Sequence, residues 1–97
     1  MIKKAELMPL NFYKKSPFTG GYQGMRYRIE RVENGEKQVF LVTIWPEPYN
    51  FETTADEEKE REKFDFSEDG KEELTQWLNR KYEEERLRWS EALQRNY

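Results

Sequence analysis

"MRYRIERVENGEKQVFLVTIW", residues 25–45, decides the fold. Asn34-Gly35 is the dipeptide favoured by two-residue type I′ turns, whose central positions both take φ > 0. Strand-like runs flank it on either side. Setting Glu33 opposite Glu36 places Ile29 across from Phe40, Tyr27 from Val42 and Met25 from Ile44. These six share one face, because side chains alternate along a strand. The other face carries Arg26, Arg28 and Glu30 beside Val39, Leu41 and Thr43. The second strand is apolar on both faces, which makes it the central one and requires a cover over Val39 and Leu41. Pro46 and Pro48 then end the pairing.

Upstream, "SPFTGG" (16–21) has the chemistry of a turn, with Pro17 presetting φ and two glycines free to take either sign. "LNFYKK" (10–15) reads as a short strand that Pro17 ends, and "MIKKAELMP" as a helical turn interrupted by Pro9. Downstream, Thr54 and Glu57 fit a capping box for a short, solvated helix within 51–63. "FDFS" (64–67) alternates as a strand would, with Phe64 and Phe66 inward. Ser67 and Asp69 compete as the next N-cap, and Asp69 with Glu72 makes the better capping box.

From Gly70 to about Arg95 the pattern is helical. Leu74, Trp77, Leu78, Tyr82, Trp89, Ala92 and Leu93 fall on one side at a helical repeat, and Leu87 lies outside it. A helix of that length spans about 39 Å at 1.5 Å per residue, whereas a domain of this size has a radius of gyration of about 13 Å. The helix therefore outruns its own sheet. Trp89, Leu93 and Tyr97 then need a cover, either a partner such as a second copy of the chain or the N-terminal segment folded back.

Bulk composition bounds the function. Ninety-seven residues fit one domain, 1–97, and 15% aromatics set against 38% charged residues describe a folded core in a charged shell. With neither cysteine nor histidine, disulfides, thiolate metal sites and the commonest general base are all excluded. No apolar run approaches the length of a membrane span and no secretory segment follows Met1, so a cytoplasmic setting without membrane contact is expected. Residues 1–31 carry seven Lys/Arg against Glu6 and Glu30, or +5, within a chain of net charge -3.

Three places hold candidate chemistry. The segment from Lys14 to Arg31 offers Lys14, Lys15, Arg26, Arg28 and Arg31 for phosphate contacts, with Phe18, Tyr22 or Tyr27 as stacking platforms for nucleic acid. Its glycines precede a strand rather than a helix, so they match neither phosphate-binding glycine fingerprint. "TIWPEPYNF" sets Glu47 between two prolines, beside Trp45 and Tyr49, where apolar rings would raise a carboxyl pKa. The bland alternative is a rigid strand exit. The acidic run "ADEEKEREK" lacks the spacing of a calcium loop and reads as a solvated face. No cofactor and no metal is expected.

At "YKKSPFTGGYQGMRYRIE", "IWPEPYNFETT" and "FDFSEDGKEELTQWLN" the chain resembles a group of small proteins of Clostridia-type Firmicutes. They share the SPFTG turn, the GMRYRIE strand, the WPEP strand exit and the F-x-F-S-E-x-G helix start. The resemblance covers roughly residues 12–82 and implies a place in conjugative or otherwise mobile elements. Some members carry an acetyltransferase label. This chain lacks the Arg/Gln-x-x-Gly-x-Gly/Ala loop opening a helix that such enzymes use, and its only candidate glycines open a strand.

The expected fold is therefore α+β: an antiparallel meander of two to four strands packed against a long C-terminal helix. Its core is Met25, Tyr27, Ile29, Phe40, Val42, Ile44, Phe64, Phe66, Leu74, Trp77, Leu78 and Tyr82. The expected function is a non-catalytic interaction module that binds a protein partner or a second copy. Its contacts would be the distal helix face (Trp89, Leu93, Tyr97) and the basic strand face (Arg26, Arg28). The alternative is nucleic-acid binding through residues 14–31, and an enzymatic reading would centre on Glu47.

Overall fold

The structure is a computed structural model and describes residues 1–47 and 50–94. Four antiparallel strands, β1 (Phe18–Tyr22), β2 (Met25–Asn34), β3 (Lys37–Pro46) and β4 (Glu60–Asp65), form a meander in sequence order. Helices α2 (Glu68–Glu84) and α3 (Arg86–Gln94) follow, after a single helical turn, α1 (Leu10–Tyr13), near the N-terminus. This is the α+β arrangement read from the sequence, with β3 central as its two apolar faces require.

The β2–β3 hairpin keeps the expected faces but not the expected register. Asn34 pairs with Lys37, Ile29 with Val42 and Tyr27 with Ile44, a slip of two residues. The turn sits on Gly35-Glu36, with Gly35 at φ 69°, the first central position that a type II′ turn reserves for glycine. The slip sets Val32 opposite Val39, where the sequence-based pairing would set it opposite a lysine. β-Branched cross-strand pairs favour the observed choice. An even slip leaves every side chain on its own face, so Met25, Tyr27, Ile29, Phe40, Val42 and Ile44 are all buried together.

Other local readings change. "FTGGY" is an edge strand, and the turn falls on Gln23-Gly24, at φ 46° and 97°. That is the positive-φ pair of a type I′ hairpin. Residues 10–13 form a helical turn rather than a strand. The turn carries Tyr13 inward, where its ring meets Phe40 edge-on at 5.3 Å and its hydroxyl accepts the Met8 N–H at 3.2 Å. Within 51–63 the only helix is a 3₁₀ turn at Asp56–Glu58, and β4 already begins at Glu60. Thr54 does not cap it: its hydroxyl donates to the Asn50 carbonyl at 2.6 Å.

Ser67, not Asp69, caps α2. Its Oγ accepts the Gly70 N–H at 3.0 Å. Leu74, Trp77 and Leu78 face the sheet from α2 and are buried, at the spacing of an amphipathic helix. Phe64, Phe66 and Tyr82 pack against the same cluster while half-buried. The N-terminal arm adds Ile2 and Leu7 to this core. The Asn79 amide pins it, accepting the Ile2 N–H and donating to the Ile2 carbonyl, both at 2.8 Å.

The long helix is broken. Glu85, at φ -121° and ψ 31°, ends α2, and its carbonyl accepts the Trp89 N–H that starts α3. A straight continuation would leave the sheet behind. The break instead brings Trp89 and Ala92 into complete burial.

Candidate functional site

Trp89, expected on an exposed helix face, is 0% exposed and belongs to the core cluster. Its indole N–H is directed at the Lys81 carbonyl at 3.4 Å, and the Arg88 guanidinium lies 4.7 Å from its ring centroid. Gly24 seats the helix. A Cβ there would stand 2.1 Å from the Trp89 carbonyl oxygen, and the φ of 97° already favours glycine. Leu93 is half-buried beside the same glycine, and Tyr97 lies outside the described residues. The distal face as first drawn is therefore not a partner surface at Trp89.

What remains open there is a groove of about 400 Å³ between the Gln23-Gly24 turn and the α2–α3 elbow. Tyr82, Arg86, Leu87, Ser90 and Leu93 line it together with Gln23. The Tyr82 hydroxyl donates to the Gln23 side-chain carbonyl at 2.8 Å, fixing the turn to the helix. Leu87, which falls outside the helix's apolar arc, is 73% exposed at this groove.

The WPEP corner is a clamp. Gly24 N–H donates to Glu47 Oε2 at 3.1 Å, and the Glu47 N–H donates to the Gly24 carbonyl at 2.9 Å. Glu47 Oε1 faces Arg26 Nη2 at 3.6 Å. Both carboxylate oxygens thus face donors of the chain itself, which gives Glu47 a structural task. Trp45 is completely buried, with Phe51 edge-on to its ring at 5.6 Å; Tyr49 lies outside the described residues.

Arg26 and Arg28 do share the outer face of the sheet. Arg28 pairs with Glu30 at 3.2 Å and sits 4.4 Å from the Phe51 ring centroid, and Lys59 lies 4.3 Å from the same centroid. The aromatics read as stacking platforms point the other way. Tyr27 is buried, Phe18 packs on it at 6.3 Å, and Tyr22 meets Tyr82 at 4.8 Å. Alternation from the inward Tyr27 forces this, since arginines and aromatics occupy neighbouring positions on a strand.

A polar cluster beneath α3 was not legible in the sequence. Arg88 Nη1 binds Glu85 Oε1 at 2.9 Å and Glu60 Oε1 at 3.3 Å, while Lys81 Nζ holds Glu60 Oε2 at 3.0 Å. Burial, reinforced by a hydrogen bond with Glu60, pushes the Glu85 carboxyl above its ordinary range. Burial alone would raise Glu60 too, but hydrogen bonds from Glu85 and Lys81 carry it below. The two groups are thus shifted in opposite senses. A raised carboxyl stabilises the fold below its unfolded pKa and loses that contribution as pH rises through the folded value. A depressed one contributes above the unfolded pKa and loses it in acid. Glu85→Gln removes the first, and its amide can still donate to Glu60, so its melting temperature should exceed that of the wild type at pH 7. The advantage should shrink below about pH 4, the ordinary range of glutamate. Melting curves by circular dichroism across that range test this, and a less stable variant at pH 7 would mean that the Arg88 pairing dominates instead.

No protein-family model, no curated protein and no solved structure matches the chain. Among the described residues no helix is long and apolar enough to cross a membrane, and no group of three or more acidic side chains is placed to hold a metal ion. The acidic run is engaged in ion pairs, Asp56 with Arg61 at 3.1 Å and Glu58 with Arg88 at 3.7 Å.

Proposed function

We propose that the chain is a non-catalytic interaction module, a cytoplasmic accessory protein of a mobile element, that binds a protein chain through the elbow groove. The observation that carries this reading is Leu87, exposed beside a groove of about 400 Å³ to which Tyr82 and Leu93 also contribute. A lone exposed leucine is ordinary on any surface. Here it adjoins an open concavity with Arg86 beside it, a mixture of aliphatic, aromatic and arginine side chains typical of contact cores. The resemblance of residues 12–82 to proteins of mobile elements supports the accessory setting.

A second copy is the partner to test first. Light scattering on a size-exclusion column should show a concentration-dependent dimer. The dimer should depend only weakly on salt, because Arg86 is the single charged side chain among the described residues that line the groove. Leu87→Ser should abolish it with an unchanged circular dichroism spectrum. A chain that stays monomeric at high concentration removes self-association through this groove. A shift on adding single-stranded oligonucleotide at low salt only would favour the nucleic-acid reading, which now rests on charge without stacking rings.

A further inference from the structure

The β1–β2 ladder stops at Phe18 opposite Ile29. The residue that would extend it, Pro17, has no N–H to donate. β2 continues to Asn34 alone on that side, while the incoming chain turns off the sheet, its Lys15 and Ser16 N–H groups both donating to the Phe12 carbonyl. Between the two lies a cleft of about 170 Å³, to which Lys14, Lys15, Ser16, Arg28, Glu30 and Arg31 contribute.

Four cations meet one carboxylate there. Glu30 is taken by Arg28 at 3.2 Å. Among the described residues, Lys14, Lys15 and Arg31 have no ion-pair partner. Arg31 is held in place rather than free: its Nη2 donates to the Lys14 carbonyl at 3.3 Å, and its Nε is buried without an acceptor. The concentration of charge is also not a by-product of composition, since the chain as a whole carries -3.

We propose that this cleft binds a phosphate monoester, its oxygens taken by the Lys14 and Lys15 ammonium groups and the Arg31 guanidinium, with the Ser16 hydroxyl as a further donor. Size limits the ligand, because pockets for whole small molecules run to about 300–1,000 Å³. A cleft of about 170 Å³ accepts the charged group and leaves the rest of its bearer outside. Charge sets the kind of phosphate. A monoester carries about -1.5 to -2 at pH 7, which suits three unpaired cations better than the single charge of a diester. Among the described residues the ring that lines the cleft is Tyr13, which is buried and not free to stack a base, and this argues further against a nucleic-acid strand. This site is independent of the elbow groove.

The test is amide chemical-shift mapping by NMR on the full chain. Inorganic phosphate and O-phosphoserine are titrated in turn against sodium chloride at matched ionic strength. A mixed single-stranded oligonucleotide provides the diester arm. The expected result is saturable shifts confined to residues 14–16 and 28–31, given by both phosphates and not by chloride. A Lys14→Ala, Lys15→Ala double variant should weaken them at least tenfold, and both lysines are exposed, so its fold should persist. Saturation by phosphoserine alone would place the ligand on a phosphorylated side chain, and by both ligands on the phosphate group itself. Linear shifts of equal size with chloride would overturn the proposal. So would saturation by the oligonucleotide at lower concentration than by either monoester.

Discussion

Trp89→Ala should lower the free energy of unfolding by about 3–5 kcal/mol, the usual cost of truncating a buried tryptophan. The indole is completely buried within the cluster that also holds Met25, Ile44 and Leu78. Its loss would also remove the ring beneath Arg88. Small domains are stable by only about 5–15 kcal/mol, so the variant should sit close to the edge of folding. Urea denaturation followed by tryptophan fluorescence, with Trp45 and Trp77 still present, gives the number. A loss below about 1 kcal/mol would mean that α3 does not dock as described. Leu87→Ser offers the contrast, since surface changes away from packed features usually stay within about 0.5 kcal/mol. The two variants thus separate a core residue from an exposed one on one short helix.

Gly70→Ala should destabilise the chain, against the ordinary preference for alanine in helices. Propensity alone favours alanine by about 1 kcal/mol. At this position, however, a Cβ would lie 1.7 Å from the Asp65 carbonyl oxygen, backbone against backbone, with no flexible side chain to yield. Asp65 has little freedom to retreat, because the same carbonyl accepts the Ser67 N–H at 2.9 Å in the turn that starts α2. Overpacking of this kind costs about 1–3 kcal/mol and sometimes more. An approach of 1.7 Å puts the cost at the top of that range or above it, so after the helix-propensity gain we expect a net loss of about 2 kcal/mol, read as a fall in the urea midpoint. A neutral or stabilised variant would show that the strand-to-helix turn opens easily.

Much of the fold could be read from residues 25–45 because alternation and burial obey the same period. The two faces of the hairpin survive even where its register does not, since a slip of two keeps parity. The turn itself was ambiguous: Asn34-Gly35 and Gly35-Glu36 both provide a glycine with positive φ, and only the Val32–Val39 pairing separates them. The glycines of "FTGGY" concealed an edge strand, because nothing local distinguishes a strand glycine from a turn glycine. The break at Glu85 carries neither proline nor glycine, the residues at which kinks usually form. Without it a straight helix leaves Trp89 exposed, and the error in the partner surface follows directly. The elbow groove joins Gln23 to Leu87 and Leu93, too far apart in the sequence for local patterns to connect. The cations of 14–31 were visible as a set. Their division into paired Arg26 and Arg28 and unpaired Lys14, Lys15 and Arg31 depends on which carboxylates the fold brings near.

β4, the edge of the sheet, constrains how the molecule can meet others. Arg61, Glu62 and Lys63 are exposed along it and alternate in sign. Charges of this kind discourage a further strand from joining by main-chain hydrogen bonds. The opposite edge, β1, is only five residues long and is cut off by Pro17. Peptide capture by strand addition, which many small sheet domains use, is thus blunted at both ends. Recognition through the proposed groove and cleft would fall to side chains instead. Its specificity could then change by single substitutions there while the sheet beneath stays as it is.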